Sequence, residues 1–288
     1  MTSVMEGQQT PVNQRRSAAG SARAVAKTFS LTGDPSLMHR FGQWLSRRRW
    51  RLGSIVGGLL LWELCSRYFA NPLFLASPSH IAVAVVKLWQ SRLPNDIALS
   101  AAEFLIGYVL ATFAGIGLGL AMATSERAKE VCEPWITGLY ATPTIALAPL
   151  FILWMGIGIW SKVAVVFILV IFPVVLNTEA GLRTTSRQLI ETVRSFGATK
   201  SQIFWKVSLP SALPFIFAGL KIGIGRGLIG VVVAELFGSR AGLGQLISQS
   251  AETFNMPELF AGVVILAIAG ITITSAFAAF ERRVVHWH

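Results

Sequence analysis

The sequence is short of charge. Only 14% of its 288 residues are charged, where soluble domains carry about 25%, so there are too few ionised groups to cover a water-facing surface. An ordinary soluble domain is excluded. Extended disorder is excluded too for most of the length, because 53% of residues are hydrophobic. Cysteine is scarce: Cys65 and Cys132 are the whole complement, too few for a disulfide scaffold and without the clustering of a zinc or iron–sulfur site. Four histidines, His39, His80, His286 and His288, are scattered without metal-ligand spacing or paired carboxylates. Neither a metal site nor a catalytic site is visible. The pattern Gly-x4-Gly-Lys-Ser/Thr is absent, so ATP must be handled by another chain and no cofactor is expected on this one. Acids are few as well, 14 against 25 Lys and Arg, for a net charge of +11. In a soluble protein that balance would suggest nucleic acid, but the placement of the charges argues for lipid instead.

What the sequence does have is long apolar runs. Residues 1–50 read as a flexible basic tail, carrying Arg15, Arg16, Arg23, Lys27, Arg40 and Arg47 to Arg49. Covering a hydrocarbon core of about 30 Å takes about 20 apolar residues, and six runs approach or exceed that over 52–69, 97–123, 135–157, 162–177, 213–237 and 260–280. No small-residue cleavage site follows the first run, so it is expected to be retained. Residues 80–92 carry Ile81, Val85, Leu88 and Trp89 in an amphipathic pattern suited to an interfacial helix. Gly107, Gly115, Gly117 and Gly119 in the second run favour close helix approach. Polar residues 124–133 break the pattern. Pro143 and Pro149 predict that the third run is kinked and interior, and Pro173 lies near the end of the fourth. The expectation is an all-α polytopic membrane protein with about six transmembrane helices, a membrane domain over 51–281 and a short tail over 282–288.

Lys and Arg gather on the cytoplasmic side of bacterial membrane proteins. With both termini inside, 18 of the 25 basic residues fall on cytoplasmic segments, while Arg67, Lys87, Arg92, Lys162 and Arg240 fall outside and Lys221 and Arg226 lie within the fifth run. The inverted topology would reverse this bias. Cys65 and Cys132 then sit at opposite faces and cannot pair.

The longest cytoplasmic connection, 181–212, is more than a tether. Leu189, Val193 and Phe196 share one helical face, Gly197 can end that helix, and Ser201 can cap a second short one carrying Phe204 and Trp205. Aromatic side chains beyond the bilayer either fold back on the chain or are offered to a partner. Glu191, Thr192, Val193, Gly197, Ala198, Val207, Leu209 and Pro210 lie in a pattern that resembles the EAA loop of ATP-binding-cassette importer permeases, with Thr192 and Val193 in place of the usual Ala-Ala and Val207 in place of Ile. The stretch Val231 to Phe237, with Gly242-Leu243-Gly244 beyond it, is more narrowly similar to the nitrate/sulfonate/taurine-type permeases.

That resemblance, over roughly residues 50–281, implies a type I importer permease in the bacterial inner membrane. Its implied partners are a second copy of the chain, two cytoplasmic ATPase subunits holding ATP and magnesium, and an extracytoplasmic substrate-binding protein. A rigid helix in the loop could then dock in an ATPase groove, with Pro210 expected to stop the segment before the fifth span.

Ionisable residues at membrane depth are costly and usually face a bundle interior or an aqueous path. Lys221, Arg226 and Glu235, together with Pro143 and Thr144 at the kink, are the candidate pathway residues; snorkelling or structural pairing is the alternative for the charged three. Positive charge in the inner half of span five points to a small anion such as a sulfonate, taurine or nitrate, with a heterocyclic vitamin precursor as the alternative. A secondary transporter would show repeated halves and more buried acids, and a membrane enzyme would cluster its acids and histidines.

Overall fold

The computed structural model describes residues 53–68, 71 and 74–285. The expected N-terminal tail, His286 and His288 lie outside the described residues. The chain divides into two units, Met1–Leu61 and Trp62–His288. Of the first, residues 53–61 are described and are helical; they open helix α1, residues 53–68. The contacts that follow all belong to the second unit.

Every regular element among the described residues is helical. Helix α2, Pro78–Trp89, starts where the Ser77 hydroxyl accepts the His80 N–H and buries Ile81, Ala84 and Leu88 on one face. This is the amphipathic helix expected over 80–92. Helix α3, Leu93–Thr124, lies against α6, Ile159–Arg183. Their approach is set by glycine: a Cβ on Gly107 would lie 2.7 Å from that of Val166, on Gly115 2.9 Å from that of Val174, and on Gly119 2.6 Å from that of Thr178. Residue numbers rise together on both sides, so α3 and α6 run parallel. The connection between them must therefore return the chain to the end where α3 began.

Helix α4, Glu126–Ala141, begins that return, and after a break the 3-10 turn Thr144–Leu147 and α5, Ala148–Met155, complete it at a bend of 87°. Two expectations change here. The polar stretch 124–133 does interrupt the chain at the extended Ser125, but it is helical again from Glu126, because the Ser125 hydroxyl accepts the Ala128 N–H and caps it. The third run is broken at Pro143 as expected, yet it is not interior to this chain: α5 buries only Ala148, while Leu153 is 80% exposed.

Helix α7, Arg187–Ser195, and α8, Lys200–Ile203, follow α6. A π-helical turn, Phe204–Ser208, joins α8 directly to α9, Leu209–Gly238, so that 39 residues from Lys200 to Gly238 form one continuous helix. Pro210 therefore does not stop the segment. It sits where a widened π-helical turn passes into α9, and that turn directs the Leu209 N–H to the Phe204 carbonyl, so the proline falls where the hydrogen-bond pattern already shifts. Helix α9 runs antiparallel to α6, with Gly219 against Asn177 and Gly230 against Leu169. Helices α10, Leu243–Glu252, and α11, Met256–Val284, end the fold, with Phe217 of α9 against Phe277 and Phe280.

The core lies between α3, α6 and α9, where Phe104, Ala111, Val166, Val170, Val174, Ile216, Ile224 and Val231 are buried together. Four helices, α3, α6, the helix from Lys200 to Gly238, and α11, are long and apolar enough to cross a membrane, and the bent α4–α5 pair makes up to five among the described residues. The first of the six expected spans is helical over residues 53–68, and its outer limits lie beyond the described residues.

Candidate functional site

The break in the α4–α5 pair opens a cavity of about 420 Å³ lined by Tyr140, Thr142, Pro143, Thr144, Ile145, Leu169, Arg226 and Ile229. Pro143 cannot donate a backbone hydrogen bond and fixes its φ, so α4 ends at Ala141 and the chain turns across the face of α9. This turn brings Pro143, Thr144 and Arg226 together, three of the five candidate pathway residues. The Arg226 guanidinium donates through Nη2 to the Tyr140 hydroxyl at 3.0 Å and lies 5.0 Å from that ring's centroid, a cation–π contact. Only one of its five N–H donors is used in that bond. Lys221 is exposed and does not line this cavity; five residues separate it from Arg226, about 140° around the helix.

Glu235 is elsewhere. It is fully buried at 0% exposure, and its carboxylate accepts the Ser100 hydroxyl and the Gly244 N–H, each at 2.5 Å. Asp96 accepts the Gly242 N–H at 2.8 Å, and the Ser100 oxygen accepts the Leu243 N–H at 2.9 Å. Three side chains from α3 and α9 thus satisfy three successive donors at the start of α10, groups that a helix leaves unpaired. Gly242 has φ +118° and no room for a Cβ beside the Glu235 carboxylate. Lys162, expected at the outer end of the fourth run, lies at the start of α6, is 2% exposed and donates to the Ile157 and Gly158 carbonyls, both at 3.0 Å.

The third feature is the segment between α6 and α9. Helix α7 starts where the Ser186 hydroxyl accepts the Leu189 N–H and buries no residue. It ends at Gly197, whose φ is +84°. The Gly197 N–H donates to the Arg194 carbonyl and the Ala198 N–H to that of Val193, a Schellman arrangement that glycine permits. Glu191 and Thr192 are exposed, Glu191 pairing with Arg187 at 3.1 Å, and Phe196 is 86% exposed. Val193, Ala198, Val207, Leu209 and Pro210 are half-buried. The cap of α8 is Thr199 and not Ser201: its hydroxyl accepts the Gln202 N–H while the Gln202 side chain accepts the Thr199 N–H, a reciprocal pair that a Ser two residues later cannot make.

The profile of the family described as binding-protein-dependent transport system inner membrane component matches residues 96–286. The chain belongs to that family. Over 229 residues it is 36% identical to the formylaminopyrimidine transport permease protein ThiX of Halalkalibacterium halodurans, covering 80% of this chain and 92% of that one. Over 233 residues it is 29% identical to the taurine transport system permease protein TauC of Escherichia coli K12, covering 79% and 85%. A solved chain of the MetNI methionine ABC transporter, in an inward-facing conformation, matches with a TM-score of 0.53 and 21% identity over 75% of this chain and 99% of its own. That likeness shows the fold. The permease is thus an ABC-importer transport subunit of the inner-membrane, multi-pass kind, not an enzyme, and ATP hydrolysis belongs to a separate ATPase.

Sequence reasoning found Arg226 in the permease but missed Tyr140, its partner 86 residues earlier. A tyrosine just before a proline break in an apolar run is the local signal that was present. Asp96 and Ser100 were missed as well. They lie four apart on α3, and only the fold brings the Gly242-Leu243-Gly244 turn to that face.

Proposed function

We propose that the permease forms the translocation pathway of an ATP-driven importer for a small anion of the sulfonate, taurine or nitrate class. The observation that carries this reading is the cavity at the α4–α5 break, where Arg226 supplies a permanent cation on the Tyr140 hydroxyl and Thr142 and Thr144 share the lining. A guanidinium in such a site favours an anion and repels a cation. Two copies pack about a two-fold axis with the pathway between them, since the exposed α5 face and the open side of the cavity are left uncovered by one chain. The ends of α3, α6 and α11 and the start of α9 share one end of the bundle, and we assign it to the cytoplasm with both termini because the basic residues gather there. Two ATPase subunits dock on α7 and the turn at Gly197, and a binding protein delivers substrate on the other side.

The 36% identity to a formylaminopyrimidine permease favours a second reading, a heterocyclic vitamin precursor, with Tyr140 supplying an aromatic face. The purified complex of permease, ATPase and binding protein in proteoliposomes decides between them. Uptake of taurine, an alkanesulfonate or nitrate that exceeds uptake of a formylaminopyrimidine supports the anion reading; a binding protein that prefers a neutral or cationic ligand overturns it.

A further inference from the structure

Four charged residues at the end of the bundle that carries α7 are not used by the cavity or by the docking segment. Glu179, on the last turns of α6, accepts Lys129 Nζ from α4 at 3.1 Å and Arg183 Nε at 3.0 Å through the same oxygen. Arg183 reaches back to α4 through Nη2, 3.2 Å from the Glu126 carboxylate, and also donates to the Met122 carbonyl at 3.3 Å. Glu179 is largely buried, so this is more than a solvated surface pair. Arg183 is the last residue of α6, and α7 begins four residues later.

The other end of α4 carries Tyr140. Between the two ends this helix has a single buried residue, Ile136, which packs with Met122, Phe172 and Val175. Helix α4, which carries Pro134 in its interior, is therefore held to the core at three places: the charged cluster at its first turn, the apolar contacts of Ile136 and Cys132 in the middle, and Tyr140 on Arg226 and against Phe172. Lys129 and Tyr140 are eleven residues apart, about 17 Å along a helix.

We infer that Glu126, Lys129, Glu179 and Arg183 form a clasp that transmits displacement of the α7 segment through α4 to the Tyr140–Arg226 contact, and so opens or closes the cavity. The inference rests on the proposed role of α7 in ATPase docking. A shift at α7 pulls first on the end of α6, where Arg183 and Glu179 grip α4. The helix is continuous through Pro134, which lets it bend there but not lengthen, so axial movement at Lys129 arrives at Tyr140 and the break at Thr142–Pro143 absorbs it. The clasp residues act through Tyr140 and are positioning residues; none of them lines the cavity.

The test reads the cavity directly and needs no transported ligand. In the complete complex carrying Cys65→Ser and Cys132→Ala, Ile145→Cys places a thiol in the cavity wall, and its labelling by N-ethylmaleimide is compared without nucleotide and after ATP hydrolysis has left ADP trapped with vanadate in the ATPase subunits. The labelling rate should change at least about fivefold on trapping, and Lys129→Gln should abolish that change while the ATPase still co-purifies. Glu126→Gln, at a residue 75% exposed on its side chain whose loss does not threaten folding, should reduce it partially. A full response in both variants overturns the clasp, as does a parent complex whose labelling ignores nucleotide. If Lys129→Gln fails to assemble, Glu126→Gln decides alone. Taurine uptake by the parent is measured separately, so absence of uptake with intact nucleotide-dependent labelling counts against the substrate reading and not against the clasp.

Discussion

The Glu235 carboxylate accepts the backbone N–H of Gly244, nine residues further along the chain, at 2.5 Å in a fully buried site. The glycine is needed because a Cβ there would lie 2.6 Å from the Val232 carbonyl oxygen. An acid that reads in sequence as either a pathway residue or a structural partner thus acts in this structure as the clamp that seats α10. Glu235→Gln should lower the stability of the purified permease by about 1–3 kcal/mol, the scale of a buried hydrogen-bonding group left without its partner. Gly244→Ala should do at least as much harm by forcing the turn apart. Thermal unfolding in detergent, followed by size-exclusion fluorescence, checks both, and unchanged melting of either variant would refute the clamp.

Glycine in α3 offers an internal control. Gly115 faces Val174 with no room for a methyl group, whereas Gly117, two residues away, has nothing within 4 Å of where its Cβ would be. Gly115→Ala should cost about 1–3 kcal/mol by overpacking. Gly117→Ala should be neutral or mildly stabilising, since alanine is the better helix former. Equal melting temperatures for the two variants would mean that the α3–α6 register is wrong.

At Gly197 the argument is conformational. Nothing lies within 4 Å of its missing Cβ, but its φ is +84°, a region costing other L-residues roughly 1–2 kcal/mol. Gly197→Asp should therefore distort the turn after α7 while leaving the spans alone, and Glu191→Arg should reverse the charge of an exposed residue on the same helix. Both variants are expected to reach the membrane at normal levels and to lose most substrate uptake, with weaker retention of the ATPase on the purified permease. Normal uptake with the ATPase retained would remove the docking role from this segment.

Much of this architecture is legible in the sequence, and the gaps have a common cause. Apolar runs, the break at Pro143 and the helix end at Gly197 are local signals, carried by residues that act within a turn of themselves. Arg226 was legible because an arginine at membrane depth is costly wherever its partner lies. Helix α4 was lost because its first turns are polar on most faces, and its attachment comes from Glu179 and Arg183, about fifty residues later. For Glu235 the sequence leaves pathway and structural pairing both open; the donors that occupy it belong to a turn whose position depends on the packing of α3 against α9. Pro210 reads as a stop because the π-helical turn that accommodates it has no sequence signature of its own.

The cavity prediction concerns Arg226, whose side chain meets Tyr140 at 3.0 Å. Two unit charges about 4 Å apart attract by about 4 kcal/mol at an effective dielectric near 20, but Arg226 is only half-buried, and solvent screening reduces that figure. A contribution of about 1–2 kcal/mol remains, which biases passage without trapping the substrate and corresponds to roughly tenfold in transport efficiency. Arg226→Ala should therefore lower sulfonate or taurine uptake about tenfold, while Arg226→Lys keeps the charge but loses the planar fork and should recover only part of it. Tyr140→Phe retains the ring beneath the guanidinium and removes one hydrogen bond, so its effect should be smaller than that of the alanine variant. The three are compared in one proteoliposome uptake assay at two ionic strengths, because an electrostatic contribution weakens as salt rises. If Arg226→Ala transports the anion at the parent rate with the parent's salt dependence, the guanidinium plays no part in substrate passage, and the cavity's aromatic wall at Tyr140 becomes the feature that selects the cargo.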